Sequence, residues 1–256
     1  NFYYYGMNIF YPQISYGGTT NGIVGDTEFQ VYPFIVALLY KFWGVHEYLG
    51  RLVSILAFCG GAFFLYKLTR KYVGSTVGLT ALLFYTFNPY IFFYSRAFMP
   101  ESSMLFFSIA MLYFFSEWID KEGWKRFALM TLCATLAFLI KIPTICLGLP
   151  LLYLCLVKFK YSFVKQWRLW LFACLSIIPT LLWYRHSHNL VSINNLTWSG
   201  LKLSSYAIYL DCSFYWRVFY TEILERDLLF VGGAFLVLGI IFTFKKKEFG
   251  YIRYWL

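Results

Sequence analysis

The sequence predicts an all-α protein, a polytopic bundle of transmembrane helices, on three observations. Apolar stretches such as 77–94, 102–115 and 228–244 carry no charge over most or all of the length that a bilayer requires. Hydrophobic residues make up 60% of the chain and charged residues only 13%, about half of what a soluble domain carries, which excludes a water-soluble globule. The basic residues behind the formal charge of +10 gather at the ends of the apolar stretches, where they report membrane orientation and not nucleic-acid binding.

Taken in order, residues 1–50 form a loop region ahead of the first span. Its middle, Tyr11-Pro12-Gln13 through Gly17-Gly18 to Gly25-Asp26-Thr27-Glu28, is rich in turn formers and aromatics. Residues 31–42 are apolar nearly all round, with Lys41 and tyrosines at the margins, and are too short to span. They predict an interfacial helix along the outer leaflet, which holds Glu28 at headgroup level. About seven spans follow, at 52–68, 76–94, 102–118, 127–140, 142–157, 169–184 and 228–244, with residues 51–184 forming one bundle. The fourth and fifth read as a hairpin because Lys141-Ile142-Pro143 divides them and leaves arms of about four turns each. One continuous helix would instead put Lys125 and Arg126 on the opposite face from Lys158 and Lys160. Lys141 then lies at or below the outer interface, with Pro143 in the first turn of the returning helix. Residues 185–227 form a second loop, and 228–256 the last span and the start of another. A chain that begins at Asn1 in an outer loop, without a signal sequence, is expected to be an internal piece of a longer protein.

Sorting Lys and Arg by alternate loops tests this topology. Fourteen of the 22 fall in short loops, among them Lys67, Arg70, Lys71, Lys121, Lys125, Arg126, Lys158, Lys160, Lys165, Arg168 and Lys245 to Lys247; eight are spread thinly over the other, longer set. The dense set belongs in the cytoplasm, which makes 1–50 and 185–227 non-cytoplasmic. Eight of the 12 acidic residues and all three histidines, His46, His186 and His188, fall on that same outer side. Five cysteines lie in spans and Cys212 in a loop, with no C-x-x-C pair, so they read as small packing residues.

Carboxylates and imidazoles suit general-base chemistry or a divalent metal, and cations suit phosphate. Glu101 follows Pro100 in the first turn of a span, where the helix dipole favours negative charge; it is both a capping residue and a candidate substrate-site residue. Arg96 shares its short outer loop and is a candidate phosphate or carboxylate partner. Lys141, costly at membrane depth unless paired, either snorkels or binds a lipid phosphate. Arg185-His186-Ser187-His188 follows a span in a segment with no regular structure expected, and two histidines at this spacing are a weak metal signal. Asn195-Leu196-Thr197 fits the N-glycosylation pattern, which matters only in a eukaryotic host.

Three stretches carry a family resemblance. Thr27-Glu28-Phe29-Gln30-Val31-Tyr32-Pro33, then Ala37-Leu38-Leu39-Tyr40-Lys41-Phe42-Trp43-Gly44 and Arg51-Leu52, resemble the segment after the first outer loop in the protein O-mannosyltransferase and lipid A aminoarabinose transferase superfamily. Asn88-Pro89 with Ser95-Arg96-Ala97-Phe98-Met99-Pro100-Glu101, and Lys141-Ile142-Pro143-Thr144, extend the resemblance over most of the first 160 residues. It implies a GT-C fold and transfer of a sugar from a polyprenyl-phosphate donor to a lipid, glycan or protein acceptor at the outer face of a bacterial plasma membrane. Glu28 then matches an acidic residue that contributes to a metal site in the aminoarabinose transferases, and Gln30 stands where that motif usually has Pro. Some relatives add a metal-binding His from a late outer loop, which makes His186 and His188 candidates. The family's catalytic Asp lies earlier in the first outer loop; residues 1–25 hold no acidic residue, so it is expected upstream of Asn1.

The sequence thus points to an integral membrane glycosyltransferase, with Glu28, Arg96, Glu101 and Lys141 as substrate-site candidates, of which Glu28, Arg96 and Lys141 are expected to converge on one cavity opening to the outer leaflet. A transporter or flippase is the rival, but it should hold charges near the midplane and often internal repeats, and these spans are nearly uncharged. A non-catalytic lipid-binding homologue is the third reading.

Overall fold

A computed structural model of the chain describes residues 2–16, 20–23 and 27–194, together with Trp216, Tyr220 and Val237. One helical turn, α1 (Phe2–Tyr5), is followed by an antiparallel hairpin of β1 (Gln13–Tyr16) and β2 (Thr20–Ile23), with Gln13 opposite Ile23 and Tyr16 opposite Thr20. This hairpin is the one addition to the predicted all-helical architecture among the described residues. Four residues per strand are too few for alternation to stand out from loop sequence.

The helices are α2 (Val31–Trp43), α3 (Glu47–Tyr72), α4 (Ser75–Phe87), α5 (Pro89–Tyr94), α6 (Glu101–Asp120), α7 (Trp124–Ile140), α8 (Gly148–Phe159) and α9 (Trp167–Asn194). Two 3₁₀ segments, Ile142–Leu147 and Lys160–Lys165, flank α8. Glycines set two of the breaks: Gly44 (φ 80°) ends α2 and Gly74 (φ 118°) separates α3 from α4, conformations that a Cβ would strain.

Four stretches are long and apolar enough to cross a bilayer: Glu47–Tyr72, Glu101–Asp120, Ile142–Lys165 and Trp167–Leu190. The chain is a multi-pass integral membrane protein. The predicted span 76–94 is not one helix. The Asn88 side chain accepts the Ile91 N–H at 3.0 Å and Pro89 takes the first helical position, so α4 stops and α5 starts afresh. The predicted span 127–140 is α7, whose 17 residues make it short, and the predicted span 228–244 lies outside the described residues. The sixth span reaches further than predicted, because α9 continues past Tyr184 to Asn194 and makes Arg185-His186-Ser187-His188 helical. As predicted, α2 is too short to span. It buries Tyr32, Val36 and Ala37 and exposes Ile35, Leu38, Phe42 and Trp43, the two-sided pattern of an interfacial helix.

The core lies between α6 and α7. Met111, Phe115 and Trp118 of α6 meet Met130, Ala134 and Ala137 of α7, with Leu151 and Leu154 of α8 and Phe172 of α9 closing over them. The outward residues of α3, including Leu56 and Phe63, stay exposed, as apolar side chains facing lipid do. Helix α3 approaches its neighbours through small residues: a Cβ on Gly61 would sit 2.6 Å from the Tyr85 hydroxyl. Helix α9 contains Pro179, whose missing N–H frees the Leu175 carbonyl four residues earlier; the Thr135 hydroxyl of α7 lies 3.2 Å from that oxygen. Of the described cysteines, all free, Cys133 and Cys155 sit in this core and Cys59, Cys146 and Cys174 face outward.

Ion pairs close the bundle at the end where α3 stops. Lys71 meets Glu117 at 2.9 Å and Asp120 at 2.6 Å, tying α3 to α6, and Arg168 pairs with Glu122, tying α9 to the α6–α7 turn.

Candidate functional site

At the opposite end, where α6 begins and α7 ends, three charged side chains from three separate segments meet. Lys141 occupies the corner after α7 in extended backbone (φ −148°, ψ 113°). Its N–H donates to Ala137, and its carbonyl accepts from the N–H and hydroxyl of Thr144, at 3.1 and 2.6 Å. With the backbone fixed on both sides, the side chain reaches across to α6. Its Nζ lies 3.0 Å from Oε1 of Glu101 and 3.9 Å from Oε1 of Glu28. Glu101 is the best enclosed of the three, with 18% of its side chain exposed against 29% for Lys141 and 45% for Glu28. Its second oxygen, Oε2, is buried without a hydrogen-bond partner.

The electrostatics follow from this enclosure. Burial pushes the Glu28 carboxyl above the usual glutamate range; Lys141 works against that shift and Glu101 adds to it. For Lys141 burial is again the largest influence and favours the neutral amine, but the hydrogen bond it donates to Glu101 and the charges of both carboxylates outweigh it and hold the ammonium above the ordinary lysine value. A cavity of about 410 Å³ opens beside the pair, lined by Asn88, Tyr90, Ile91 and Tyr94 of the α4–α5 break, by Glu101, Ser102, Met104 and Leu105 of α6, and by Lys141.

Glu28 sits in a stretch without regular structure but is tightly bracketed. The Thr27 N–H donates to the Ser187 hydroxyl at 2.9 Å, and the Thr27 carbonyl accepts from Trp183 Nε1 at 3.0 Å. The Phe29 N–H donates to the Leu139 carbonyl at 3.0 Å, and the Phe29 ring meets Trp183 edge-on at 4.7 Å. Gln30 donates from its side chain to the Glu28 carbonyl at 3.1 Å, which holds the turn by a hydrogen bond. Helix α2 is fixed to the same end: the Tyr32 hydroxyl donates to the Gly50 carbonyl at 2.9 Å, and the Ser54 hydroxyl lies 3.0 Å from Tyr32 and 2.8 Å from the Ala97 carbonyl.

Three of the four substrate-site candidates, Glu28, Glu101 and Lys141, therefore come together. Arg96 does not: its guanidinium lies over the Phe92 ring at 4.3 Å, and it lines neither the cluster nor the cavity. The loop between α5 and α6 is short, and it turns Arg96 outward while Glu101 enters with the helix. The metal candidates Glu28, His186 and His188 are not brought together either. Because α9 runs through the H-x-H segment, residues two apart point to different faces. His186 meets the Phe10 carbonyl at 3.0 Å and the Tyr11 ring, and His188 is exposed. Among the described residues no group of three or more His, Cys, Asp or Glu lies close enough to hold a metal ion, and the cation between Glu28 and Glu101 is Lys141 itself. Asn88 and Tyr94 at the cavity and Ser187 and Trp183 behind Glu28 are residues that spacing did not single out. A signal for the last two exists in hindsight, since they stand four apart and share one helix face.

Residues 30–183 match the family described as dolichyl-phosphate-mannose-protein mannosyltransferase. A protein of Aquifex aeolicus (strain VF5), described as uncharacterized, is 34% identical over 107 residues, which is 42% of this chain and 24% of that protein. The chain thus spans about a quarter of the length of this curated relative. No solved structure matches.

Proposed function

The chain belongs to the dolichyl-phosphate-mannose-protein mannosyltransferase family, and on that premise we propose that it works as a membrane glycosyltransferase, moving a sugar from a polyprenyl-phosphate donor to an acceptor hydroxyl. The observation that carries this reading is the meeting of Lys141, Glu101 and Glu28 beside a 410 Å³ cavity at one end of a bundle of apolar helices. The distribution of Lys and Arg supports reading that end as the non-cytoplasmic one. The Aquifex aeolicus relative is in keeping with a bacterial plasma membrane as the location.

The pairing distances suggest a division of labour. Glu101, at 3.0 Å and well enclosed, keeps the ammonium of Lys141 aimed; Glu28, at 3.9 Å and half exposed, is the partner that an arriving lipid phosphate displaces. In the reaction the acceptor oxygen attacks the anomeric carbon from the side away from the phosphate, and its proton passes to a carboxylate base. The bond from the anomeric carbon to the phosphate oxygen breaks, and its electron pair stays on the lipid phosphate, where Lys141 stabilises the added charge. Glu28, once displaced, orients the acceptor hydroxyl. No step is routed through a metal, because the described residues do not assemble a ligand set.

The test is a binding measurement on the full-length protein in nanodiscs, titrated with undecaprenyl phosphate and with undecaprenol. The phosphate is expected to bind at least tenfold more tightly than the alcohol, and Lys141→Gln to abolish that preference. Equal binding of the two lipids by the wild type would remove the phosphate site.

A further inference from the structure

Glu28 owes its place to a residue 159 positions later in the chain. Ser187 lies near the far end of α9 and is wholly buried, with 0% of its surface exposed. Its hydroxyl accepts the Thr27 N–H at 2.9 Å and lies 3.3 Å from the Thr27 carbonyl, so one side chain engages both backbone groups of one residue. Trp183, one turn earlier on the same face, donates Nε1 to that carbonyl and presents its ring to Phe29. On the other side of Glu28, the Phe29 N–H is bound to Leu139, two residues before Lys141. With residues 27 and 29 both held and peptide units planar, the direction in which Glu28 leaves the backbone is fixed, and it faces Lys141. A serine buried in an apolar helix is costly unless its hydroxyl is bonded, and here the bonds go to the segment that carries Glu28.

We propose that Ser187, together with Trp183, is a positioning residue for the reaction, clamping Thr27 so that the Glu28 carboxylate is presented to Lys141. The inference rests on the reading above, in which Glu28 acts on the substrate. Among the described residues, the charged and titratable groups around Glu28 are Lys141 at the α7 corner, Glu101 on α6 and Tyr184 on α9. Burial pushes the Glu28 carboxyl above the usual glutamate range, and a loop released toward solvent is expected to return it toward that range.

The experiment is sugar transfer from a radiolabelled mannosyl polyprenyl phosphate by the full-length protein, measured against pH for wild type, Ser187→Ala, Trp183→Phe and Glu28→Gln. Each variant is first checked to be monodisperse. Ser187→Ala is expected to lower turnover on the order of tenfold, because displacements of about 1 Å at a reacting centre are costly. Its acid limb should move to lower pH, while KM for the lipid changes less than twofold, since Lys141 keeps Glu101. Trp183→Phe, which keeps the ring against Phe29, should do the same to a smaller extent, and it decides the matter if Ser187→Ala does not fold. A merely structural role would reduce the amount of folded enzyme and leave the limb where it was, which overturns the proposal. If Glu28→Gln retains the acid limb, the functional reading of Glu28 fails. If it loses the limb but both clamp variants keep wild-type turnover and limb, the positioning proposal alone fails.

Discussion

Replacing Lys141 by Met removes the cation shared by Glu28 and Glu101 while keeping most of the side-chain volume. Glu101 is then left enclosed with one oxygen already unpartnered and the other newly so. Breaking a fully buried pair from one side costs about 3–5 kcal/mol, and an exposed pair is worth about 0–1 kcal/mol. The Lys141–Glu101 pair, with side chains 29% and 18% exposed, falls between these limits, at about 2 kcal/mol. The Glu28 contact, longer and 45% exposed on the carboxylate side, adds less than about 1 kcal/mol. A double-mutant cycle with Glu101→Gln, read from denaturant-induced unfolding in mixed micelles, measures the pairwise part directly. Because the lysine value is raised, this contribution is fully present below about pH 10.5 and is lost only as pH rises through the folded-state value, so the cycle should give the same coupling at pH 6 and pH 8. Additive single and double variants, with no coupling beyond about 0.3 kcal/mol, would refute the claim that Lys141 and Glu101 form one unit.

Glu28 is expected to impose an acid limb on turnover that lies above its ordinary value of 4.5, because burial favours the protonated form; activity falls as pH drops through that limb, and Glu28→Gln should remove it together with most of the turnover. Gly50→Ala places a Cβ 2.2 Å from the Phe98 ring, which itself packs against Tyr32; a loss of about 1–3 kcal/mol in stability is expected, recovered by adding Phe98→Ala. For orientation, single cysteines at Val45 and at Tyr161 in a Cys-free background should label from opposite sides of intact cells, Val45 with an impermeant reagent and Tyr161 only after permeabilisation. Labelling of Tyr161→Cys from outside would invert the topology.

The membrane character and the helical bundle were legible because apolar runs and basic clusters are local properties of the chain. So was the corner at Lys141, where Pro143 and two short arms force a reversal, and so was the short helix α2. The helix break at Asn88 was less so: Asn88-Pro89 is a strong cap signal, but it stands inside a run apolar enough to read as one span. The length of α9 was hidden for the opposite reason, since polar residues after Tyr184 suggest a loop, while Ser187 and Trp183 find their partners 156 and more residues away. Pairing across that distance leaves no trace in spacing. That also explains why Glu101 and not Arg96 joins Lys141: both belong to one short outer segment, and only the helix that begins at Glu101 decides which side chain points inward.

The most direct measurement is sugar transfer itself. Full-length protein in bacterial membrane vesicles, supplied with radiolabelled sugar on polyprenyl phosphate, is compared with its Lys141→Met variant at equal expression. The account predicts labelled product from the wild type, released together with free polyprenyl phosphate, and a loss of at least about a hundredfold in Lys141→Met, the scale expected when a charge-stabilising group is removed from a reacting centre. Equal transfer by the two proteins would contradict it.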